Sequence, residues 1–530
     1  MNRRKKGLLF ILVAIMVLSF TLTGCGKNKS DKKAGGDKEG GTLTIALSST
    51  PKNLDPVKYT GVYEGNIIRS IGDTLVFYDK ELKEVIPGLA TEWEISKDLK
   101  EYKFTLRDDV YFQKGKYQDG RKMTAEDVKY SLERSEKESA MGRLRMLDHV
   151  EVVSDNEIIA YLKEPNAAFL TVLTDSGNII VPKEEVEGWG DEFGLHLVGT
   201  GSYAFKEWRK DDCVILEKNE KYWGSKPNLD QVVFKFISDT NMRANALRTG
   251  EIDVATDLQG ESIEAIKKDE KLEIREKPGM KVSFVSMNLK NGPTKDKKVR
   301  EAILSAIDVD ALVKGLYSWD EAERAYLPLP PGSWGYDKSI EELVPKYDPA
   351  KAKKLLAEAG YPNGGFELNI YITDDPMRVK MATIIQSDLK ENLNIDLKIN
   401  TAEWGTFSDV ASKGKADLYG MSWAWYPDPD FFLYQMFHSA QIGSLGNGQG
   451  FENAKVDELL NRAVSETGNQ EERAKLYQEA LKIIAEEYPR LDYSNEKVIY
   501  GMNKKVKDFV LFGDNQIFIN HPEFNVYKEK

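Results

Sequence analysis

The sequence predicts an α/β protein with more than one lobe, and two observations support this class. Segments with strand-like alternation of apolar and polar residues take turns with segments of helical spacing along residues 41–530, without a fixed internal repeat. The 530 residues, 41% of them hydrophobic and 10% aromatic, supply a large core but exceed the length of one ordinary domain. We therefore expect about two to four lobes that combine strands and helices.

Three elements near the start of this region have clear local signals. Thr42–Leu47 predicts a first strand, which a cluster of proline, asparagine and aspartate ends in a loop. Apolar residues alternate with polar ones over 102–106, which is the period of a half-buried strand. Thr124 occupies an N-cap position before acidic residues and helical spacing, so we predict a helix over about 125–134.

Three longer segments farther along have the spacing of amphipathic helices. They are Lys297–Leu316, Pro349–Ala359 and Glu471–Glu487. Gly360 follows the second segment and supplies a stop, and the third segment ends before a proline. Ala416–Trp423, between the second and the third, is predicted to be a strand.

The N-terminus predicts an export signal rather than part of the fold. Four positive residues, Arg3–Lys6, precede the apolar run Leu8–Phe20, which is too short for a stable membrane span. The run ends in Leu22-Thr23-Gly24-Cys25, which resembles the lipobox of bacterial lipoproteins, where the cysteine thiol receives a diacylglycerol. An ordinary secretory signal with an incidental cysteine is the alternative. We predict that residues 1–24 are removed and that Cys25 is lipidated.

The segment after Cys25 predicts a flexible tether in front of an acidic body. Residues 26–40 contain no apolar side chain larger than Ala34, so they cannot offset their ordering entropy by burial. The formal charge is −12, and removing residues 1–24 takes away four positive charges and no negative ones, which gives −16. The tether holds five lysines and three acids, so residues 41–530 carry −18. Nucleic acid would repel such a body, and we expect no nucleic-acid partner.

The rare residue types exclude two further classes. Two cysteines cannot build a disulfide framework, and four histidines leave little material for a metal site. Cys213 lies in an alternating apolar segment and is predicted to be buried and inert. We therefore expect no cofactor and no metal.

A series of short motifs resembles one known family. In chain order they are Gly88–Trp93, Tyr102–Arg107, Val110–Phe112, Asp119–Gly120, Thr124–Val128, Gly199–Tyr203, Asn219, Tyr222–Trp223, Gly250–Asp253, Asn288, Val299–Ile303, Ala306–Asp308 and Ala359–Tyr361. Together they resemble the oligopeptide/dipeptide family, family 5, of solute-binding proteins of bacterial ABC importers. The motifs cover nearly all of residues 41–530 in the family's order, so a chance origin is not credible.

The resemblance implies a two-lobed clamp of the periplasmic-binding-protein kind, with mixed sheets and an extra α+β domain. The implied parts are lobe I at 41–77, 196–285 and 495–530, the additional domain at 78–195, and lobe II at 286–494. Two chain crossings, near Ser286–Lys290 and near Leu491–Lys497, would form the hinge. Two ordinary core strands are the alternative interpretation of these crossings.

A clamp of this kind acts by closing on a ligand rather than by chemistry. The resemblance implies that contacts to both lobes favour a closed form, which presents a surface to a membrane permease. Peptides in the family usually lie extended and pair their main chain with strand edges, while roomy pockets accept varied side chains. We therefore expect a monomer, lipid-anchored on the extracytoplasmic face of the cell membrane, that captures oligopeptides and passes them to permease and ATPase subunits.

Candidate ligand-binding residues cluster after the predicted strand that ends at Trp423. Trp425 and Tyr426 follow it in a proline-rich loop, and Trp404 matches a family position that commonly faces the ligand. The candidate indoles are those of Trp404, Trp423 and Trp425, and each offers flat apolar area and one hydrogen-bond donor. The next aromatic residues along the chain, residues 431, 432 and 434, are predicted to pack in the core.

One position departs from the pattern of the peptide-binding relatives. Where these often have an aspartate that holds the free α-amino group of the peptide, this chain has Trp425. A charge-assisted bond of that kind contributes roughly 1.5–3 kcal/mol. Asp428 or another acid could take over, the ligand could be a longer or blocked peptide, or it could be a different solute. Relatives also carry nickel complexes, haem, opines and oligosaccharides, and stacked tryptophans suit a sugar ring.

Two acids and one short loop each have a structural and a functional interpretation. Asp430 is predicted to cap the helix that begins near residue 431, whereas Asp428 either caps that helix or receives a cation of the ligand. Val62 and Tyr63 match a loop of lobe I that contacts the peptide main chain in relatives, or they pack. Arg378 either meets a ligand carboxylate or is a solvated surface residue.

Two other classes of protein compete with a binding protein. A secreted hydrolase is the first, but the sequence contains no G-x-S-x-G elbow, no H-E-x-x-H and no phosphate-binding G-x-x-x-x-G-K-[ST]. The carboxylates are too numerous for a catalytic pair to be chosen from the sequence. An adhesive or structural lipoprotein is the second class, and it would need neither a hinge nor an aromatic cleft.

Overall fold

The structure is a computed structural model that describes residues 40–529, and it confirms the α/β class. The predicted signal peptide, Cys25 and nearly all of the predicted tether lie outside the described residues. The strands are β1 Thr42–Leu47, β2 Val76–Tyr78, β3 Val85–Pro87, β4 Ala90–Ile95, β5 Glu101–Leu106, β6 Leu147–Ser154, β7 Glu157–Leu162, β8 Tyr203–Arg209, β9 Cys213–Lys218, β10 Gln231–Phe236, β11 Val254–Ala255, β12 Leu272–Met287, β13 Ala322–Arg324, β14 Glu367–Thr373, β15 Asp396–Ala402, β16 Leu418–Ala424, β17 Arg490–Asn503, β18 Val506–Lys507, β19 Asn520–His521, β20 Phe524–Asn525 and β21 Tyr527–Lys528.

The helices lie between these strands. They are α1 Val62–Ile71, α2 Ala125–Glu138, α3 Phe169–Leu173, α4 Lys183–Trp189, α5 Thr240–Thr249, α6 Glu261–Lys267, α7 Lys297–Ala306, α8 Val309–Leu316, α9 Pro349–Glu358, α10 Pro376–Leu393, α11 Trp404–Ser412, α12 Asp430–Phe437, α13 Ala454–Ser465 and α14 Gln470–Glu487. Short 3-10 helices occupy Ser176–Asn178, Gly190–Leu195, Pro293–Lys295, Lys338–Leu343 and Ser439–Gln441. Within residues 40–529, no helix combines the length and apolar character that a membrane crossing requires.

One mixed sheet runs through both lobes. Its strand order is β15-β14-β16-β12-β17-β11-β1-β10-β9-β8, and β13 adds to β17. β14 pairs in parallel with β15 and β16, and β1 pairs in parallel with β10 and β11, whereas β12 and β17 are antiparallel. The long central pair β12 and β17 therefore belongs to both lobes.

The central pair changes register partway along its length. Pro278 pairs with Lys497, whereas Val282 pairs with Asn495, so the residues between them form a bulge. The Asn495 side chain donates to the carbonyl oxygens of residues 279 and 281, at 2.8 Å each, and so ties the bulge to β17. A Cβ at Gly279 would lie 2.2 Å from the carbonyl oxygen of Glu496, so only glycine fits this close approach.

This bulge is our candidate for the first hinge crossing. It lies a few residues before Ser286–Lys290, where the resemblance placed the crossing. Ser286 itself is still regularly paired, with Arg490. The matching point on β17, Asn495–Lys497, falls within the expected Leu491–Lys497. The domain limits expected from the sequence remain a proposal.

Separate hydrophobic cores support the lobes and the additional domain. The core of lobe I gathers residues of β1, α1, β9, β10 and the C-terminal segment. The cores of lobe II gather α7 to α10 with β14, and α12 to α14 with β16. The additional domain is a four-stranded sheet, β4-β5-β7-β6, packed against α2. Ile179 and Val181 already belong to the core of lobe I.

Most of the local sequence signals are confirmed, with one clear error. α2 begins with a capping box in which Thr124 and Asp127 satisfy each other's main-chain N–H groups. The helix predicted over Lys297–Leu316 is instead two helices, because Asp308 accepts a hydrogen bond from the N–H of Ala311 and starts α8 anew. Cys213 is buried as predicted, and burial raises the pKa of its thiol to about 11.

Candidate functional site

A cavity of about 1200 Å³ lies where the two lobes and the additional domain meet. Lobe I contributes the start of α1 and the loop before α5, the additional domain contributes residues 141–146, and lobe II contributes the end of β16 and the start of α10. The bulge of β12 also lines the cavity. Residues far apart in the sequence therefore line one cavity at the proposed hinge.

Trp425 lines this cavity. It directly follows the end of β16 and is 36% exposed, and its ring lies nearly parallel to those of Trp423 and Phe431, with centroids 5.9 and 6.0 Å away. The Trp423 indole donates to the carbonyl oxygen of Phe431 at 2.9 Å and packs against the lobe II core, so it supports Trp425 rather than lining the cavity. Phe431, predicted to be a core residue, also lines the cavity, whereas Phe432 is fully buried.

Tyr426 joins a polar hub that the sequence analysis missed. The hydroxyl of Tyr426 donates to Asp175 at 2.7 Å, the hydroxyl of Tyr59 donates to the same carboxylate at 2.6 Å, and Arg143 pairs with it at 2.6 Å. Burial alone would raise the pKa of Asp175, but the Arg143 cation and the two hydroxyl groups outweigh it and lower that pKa. The hub links lobe I, lobe II and the additional domain on the cavity wall.

Val62 and Tyr63 line the cavity at the first turn of α1. Ser48 lies between Tyr63 and Asp257, 2.8 Å from the tyrosine hydroxyl and 2.6 Å from the carboxylate. Burial and the Asp257 charge raise the pKa of the Tyr63 hydroxyl. Tyr63 therefore stays neutral at pH 7 and can serve as a hydrogen-bond group for a guest.

Asp428 does not reach the cavity. Its side chain is fully buried and pairs with Arg473 at 2.9 Å, and it also accepts a hydrogen bond from the hydroxyl of Thr171 at 3.3 Å. One of its oxygens accepts the N–H of Asp430 at 3.0 Å, at the start of α12. The structural interpretation of Asp428 therefore fits the geometry, because its carboxylate is already satisfied within the protein and is shielded from a ligand.

Asp430 is not the helix cap that the sequence predicted. It is the first residue of α12 and makes no capping bond; instead its carboxylate accepts a hydrogen bond from the hydroxyl of Tyr477 at 3.3 Å. Burial, followed by repulsion from Asp428, raises the pKa of Asp430 to about 7. Asp428 instead accepts the first main-chain N–H of the helix, that of Asp430 itself.

Removing the charge of Asp430 is expected to make folding less sensitive to pH. An aspartate in an unfolded chain titrates near ~3.9, so the folded protein holds this proton more tightly, and that stabilisation is lost as the pH rises through about 7. The melting temperature of Asp430→Asn minus that of the natural protein should therefore increase between pH 4 and pH 8. Asp155→Asn, on an exposed turn, is the control. A difference between variant and natural protein that stays constant with pH would contradict the shifted pKa.

Trp404 lies outside the cavity lining. It is the first residue of α11, is 53% exposed, and packs on Phe407 with ring centroids 5.7 Å apart. β15, β14 and β16 are parallel, so Trp404 and Trp425 both follow the C-terminal ends of their strands. These two strands, β15 and β16, are separated by β14 and lie roughly 10 Å apart. Its contact with a ligand remains a prediction.

Charged side chains other than the hub also line the cavity. Arg378, at the start of α10, donates to the carbonyl oxygen of Gly420 at 2.8 Å, and Asp375 caps the same helix. Lys281 pairs with Glu496 at 2.8 Å beside the bulge. Arg69, on α1, was not predicted, because an arginine in an amphipathic helix is normally a solvated surface residue.

No clustered metal ligands occur in the described part of the chain. There, no group of three or more histidine, cysteine, aspartate or glutamate side chains is arranged to hold a metal ion. What the cavity offers is flat aromatic surface, hydroxyl groups and separate charges, which is an arrangement for binding an intact solute.

Comparisons with known proteins agree with this geometry. Residues 84–444 match the family described as Bacterial extracellular solute-binding proteins, family 5 Middle. The Dipeptide-binding protein of Escherichia coli K12 is 29% identical over 499 residues, which cover 89% of this chain and 92% of that protein. Heme-binding protein A of Haemophilus influenzae is 30% identical over 94% of this chain and 96% of its own length.

A solved structure extends the likeness to the fold. The periplasmic binding protein DppA of Helicobacter pylori, in complex with the peptide STSA, matches with a TM-score of 0.74 and 32% identity, over 93% of this chain and 99% of that one. The sequence match and the shared fold thus cover nearly the whole described chain. The protein therefore belongs to family 5 of the bacterial extracellular solute-binding proteins, which are extracytoplasmic, transport-associated binding proteins and not enzymes.

Proposed function

We propose that this protein captures oligopeptides by closing its lobes around them and delivers them to the permease of an ABC importer. The observation that carries the proposal is the single cavity of about 1200 Å³ to which both lobes and the additional domain contribute. A guest that touches all three parts favours the form in which they are held together. The permease can then recognise the closed form by its surface.

The size and chemistry of the cavity favour a peptide of several residues. Its volume exceeds the range of about 300–1,000 Å³ that is typical of sites for drug-sized ligands. Its wall combines the Trp425 face with hydroxyl groups and with charges of both signs, which suits a chain that has polar main-chain groups and varied side chains. The peptide-binding relatives support the same ligand class.

The hub around Asp175 supports a closing clamp. Tyr426 comes from lobe II, Asp175 from the additional domain and Tyr59 from lobe I, so their hydrogen bonds require the three parts to lie together. Phe431 of lobe II packs against the core of the additional domain as well. These contacts are the ones that opening would break.

A non-peptide solute is the second candidate. Trp425 stands where peptide-binding relatives often have an aspartate, and a stacked indole face suits a sugar ring. An oligosaccharide, an opine or a nickel complex are the candidates in this class, and the haem-binding relative adds haem. A secreted hydrolase is disfavoured by the family.

Binding experiments on residues 26–530 separate these candidates. Native mass spectrometry of freshly purified protein identifies a retained guest, and calorimetry with tetrapeptides, oligosaccharides, opines, nickel–histidine and haem ranks the classes. We expect tetrapeptides to bind and to be recovered intact. Binding of another class alone, with no peptide bound, would overturn the peptide assignment, and cleaved peptide would overturn the binding role.

We further propose a lipid anchor at Cys25, with the mature protein on the outer face of the cytoplasmic membrane as a monomer. This rests on the sequence Leu22-Thr23-Gly24-Cys25 after an apolar run. An anchor keeps the receptor close to the permease, and two membrane subunits with ATPase subunits are the expected partners.

Cys25→Ser is expected to release the protein from the membrane. The hydroxyl of serine does not receive the diacylglycerol, so the variant should appear in the soluble fraction of cells, whereas the natural protein sediments with membranes. Cys213→Ser, which changes a buried thiol in the fold, is the control and should not alter the fractionation. Membrane retention of Cys25→Ser without attached lipid would contradict the anchor.

A further inference from the structure

Arg69 is an arginine of the cavity wall that makes no ion pair within the described part of the chain. Arg69 lies on α1 and lines the cavity. Its Nε atom is buried and has no hydrogen-bond partner, and no acidic group of residues 40–529 lies within ion-pair distance of its guanidinium. Burial accordingly lowers the pKa of Arg69. The side chain is half-buried, and a partly desolvated cation with an unsatisfied N–H group gains from a hydrogen-bonded partner of opposite charge, which a guest can supply.

An aromatic ring contacts the Arg69 guanidinium, and two nearby acids attract it without forming an ion pair. One face lies over the ring of Phe518, 4.5 Å from its centroid. Asp175 is the nearby acid of the hub, and Arg143 and two tyrosine hydroxyl groups already satisfy it. Asp514 also lies near, but it accepts the main-chain N–H of Gln516 and makes no ion pair with Arg69.

The cation stands close to the position where the chain departs from its peptide-binding relatives. Tyr426 is among the groups that face Arg69, and Trp425 precedes it at the end of β16. An aspartate at residue 425 would attract an ammonium group, whereas this chain has an indole there and the Arg69 guanidinium elsewhere on the wall of the same cavity. Asp175 also lines this part of the cavity, so Arg69 adds a cation to a wall of mixed charge.

We propose that Arg69 binds a carboxylate of the cargo, so that the protein selects anionic peptides and does not require a free N-terminus. The inference rests on the proposed function and narrows its substrate class. A guanidinium binds a carboxylate through two parallel hydrogen bonds, which gives both strength and orientation. The carboxylate can be an acidic side chain or the C-terminus of the peptide, and the test below separates these sources.

The test is a calorimetric scan with alanine tetrapeptides that carry one Glu, or one Gln, at each position in turn. Every peptide is prepared with a free or acetylated N-terminus and with a free or amidated C-terminus. We expect at least one carboxylate-bearing peptide to bind about tenfold or more tightly than its uncharged counterpart. A preference for Glu over Gln assigns the side chain, and a preference for the free over the amidated end assigns the C-terminus. Acetylation should weaken binding by less than about threefold.

Arg69→Met should remove that preference specifically. Methionine keeps an apolar stem against Phe518, so the fold should persist, and the melting temperature checks this. For the uncharged peptide, the dissociation constants of the variant and the natural protein should agree within about twofold. For the carboxylate-bearing peptide, the dissociation constant of the variant should rise to about the value of the uncharged peptide. Arg69→Lys should restore part of the preference, and Arg248→Met, an exposed arginine on α5 outside the cavity, should change neither value.

The outcomes separate this inference from the proposed function. Peptides that bind without any carboxylate preference, or a preference that survives in Arg69→Met, would overturn the role of Arg69 and leave peptide binding intact. A loss of affinity of about tenfold on N-terminal acetylation would overturn the claim that a free amino group is unnecessary. Failure of every peptide to bind the natural protein would overturn both proposals.

Discussion

Asp428→Ala is expected to destabilise the folded protein by about 3–5 kcal/mol, because it leaves a buried arginine without its counter-charge. Asp428 is fully buried and Arg473 nearly so, and their charged atoms lie 2.9 Å apart. Arg473 also donates to the carbonyl oxygen of Ala463 at 2.9 Å, so it cannot swing out to water without losing further bonds. Thermal unfolding followed by circular dichroism should begin at a clearly lower temperature.

Two further measurements distinguish this structural role from ligand binding. Adding Arg473→Met to Asp428→Ala should recover part of the lost stability, because the uncompensated charge disappears. Peptide affinity, measured well below the melting temperature, should change less than about threefold, since Asp428 does not line the cavity. A variant that melts like the natural protein but binds peptide poorly would return Asp428 to the ligand-binding residues.

Trp425→Ala is expected to weaken cargo binding by about tenfold to a hundredfold and to change stability little. Large aromatic side chains at the wall of a binding site are among the residues whose truncation costs the most binding energy. Its 36% exposure means that much of its surface is available to a guest. Calorimetric titration of the variant with the best tetrapeptide measures the loss, and the melting temperature checks the fold.

Tyr347→Ala is the matched control for Trp425→Ala. Tyr347 is an aromatic residue of lobe II that is 46% exposed and does not line the cavity. Its truncation should leave the dissociation constant within about twofold. Equal losses in both variants would indicate a general effect on lobe II, and unchanged affinity in Trp425→Ala would remove that indole from the site.

The sequence located residues of the candidate site on both lobes but missed the charged hub around Asp175. Trp425, Tyr426, Val62 and Tyr63 all line the cavity. They could be predicted because each has a local signal. Trp425 and Tyr426 follow a predicted strand, and Val62 and Tyr63 lie in a segment that resembles a ligand-contacting loop of the family. Trp423 supports Trp425 without lining the cavity. Trp404 lies two strands away from Trp425, and this distance could not be predicted because the order of the strands in the sheet is not encoded locally.

The acid of the site illustrates why such residues escape sequence analysis. Asp428 was a candidate because it lies beside the aromatic loop, yet its partner Arg473 is 45 residues away and removes it from the cavity. Asp175 reaches the wall instead, although it is separated from Tyr426 by 251 positions. Nothing in the sequence around either carboxylate distinguishes a satisfied, buried group from one that faces a cavity.

The α/β class, most of the helix and strand starts and the family can be predicted from the amino-acid sequence, because alternation, caps and short motifs are encoded within a few neighbouring residues. Which charges meet and which remain without an ion pair depends on the folded chain. Burial and ion pairing depend on distances between residues that the chain brings together from different lobes. That is why a helical arginine such as Arg69 becomes notable only once the cavity around it is known.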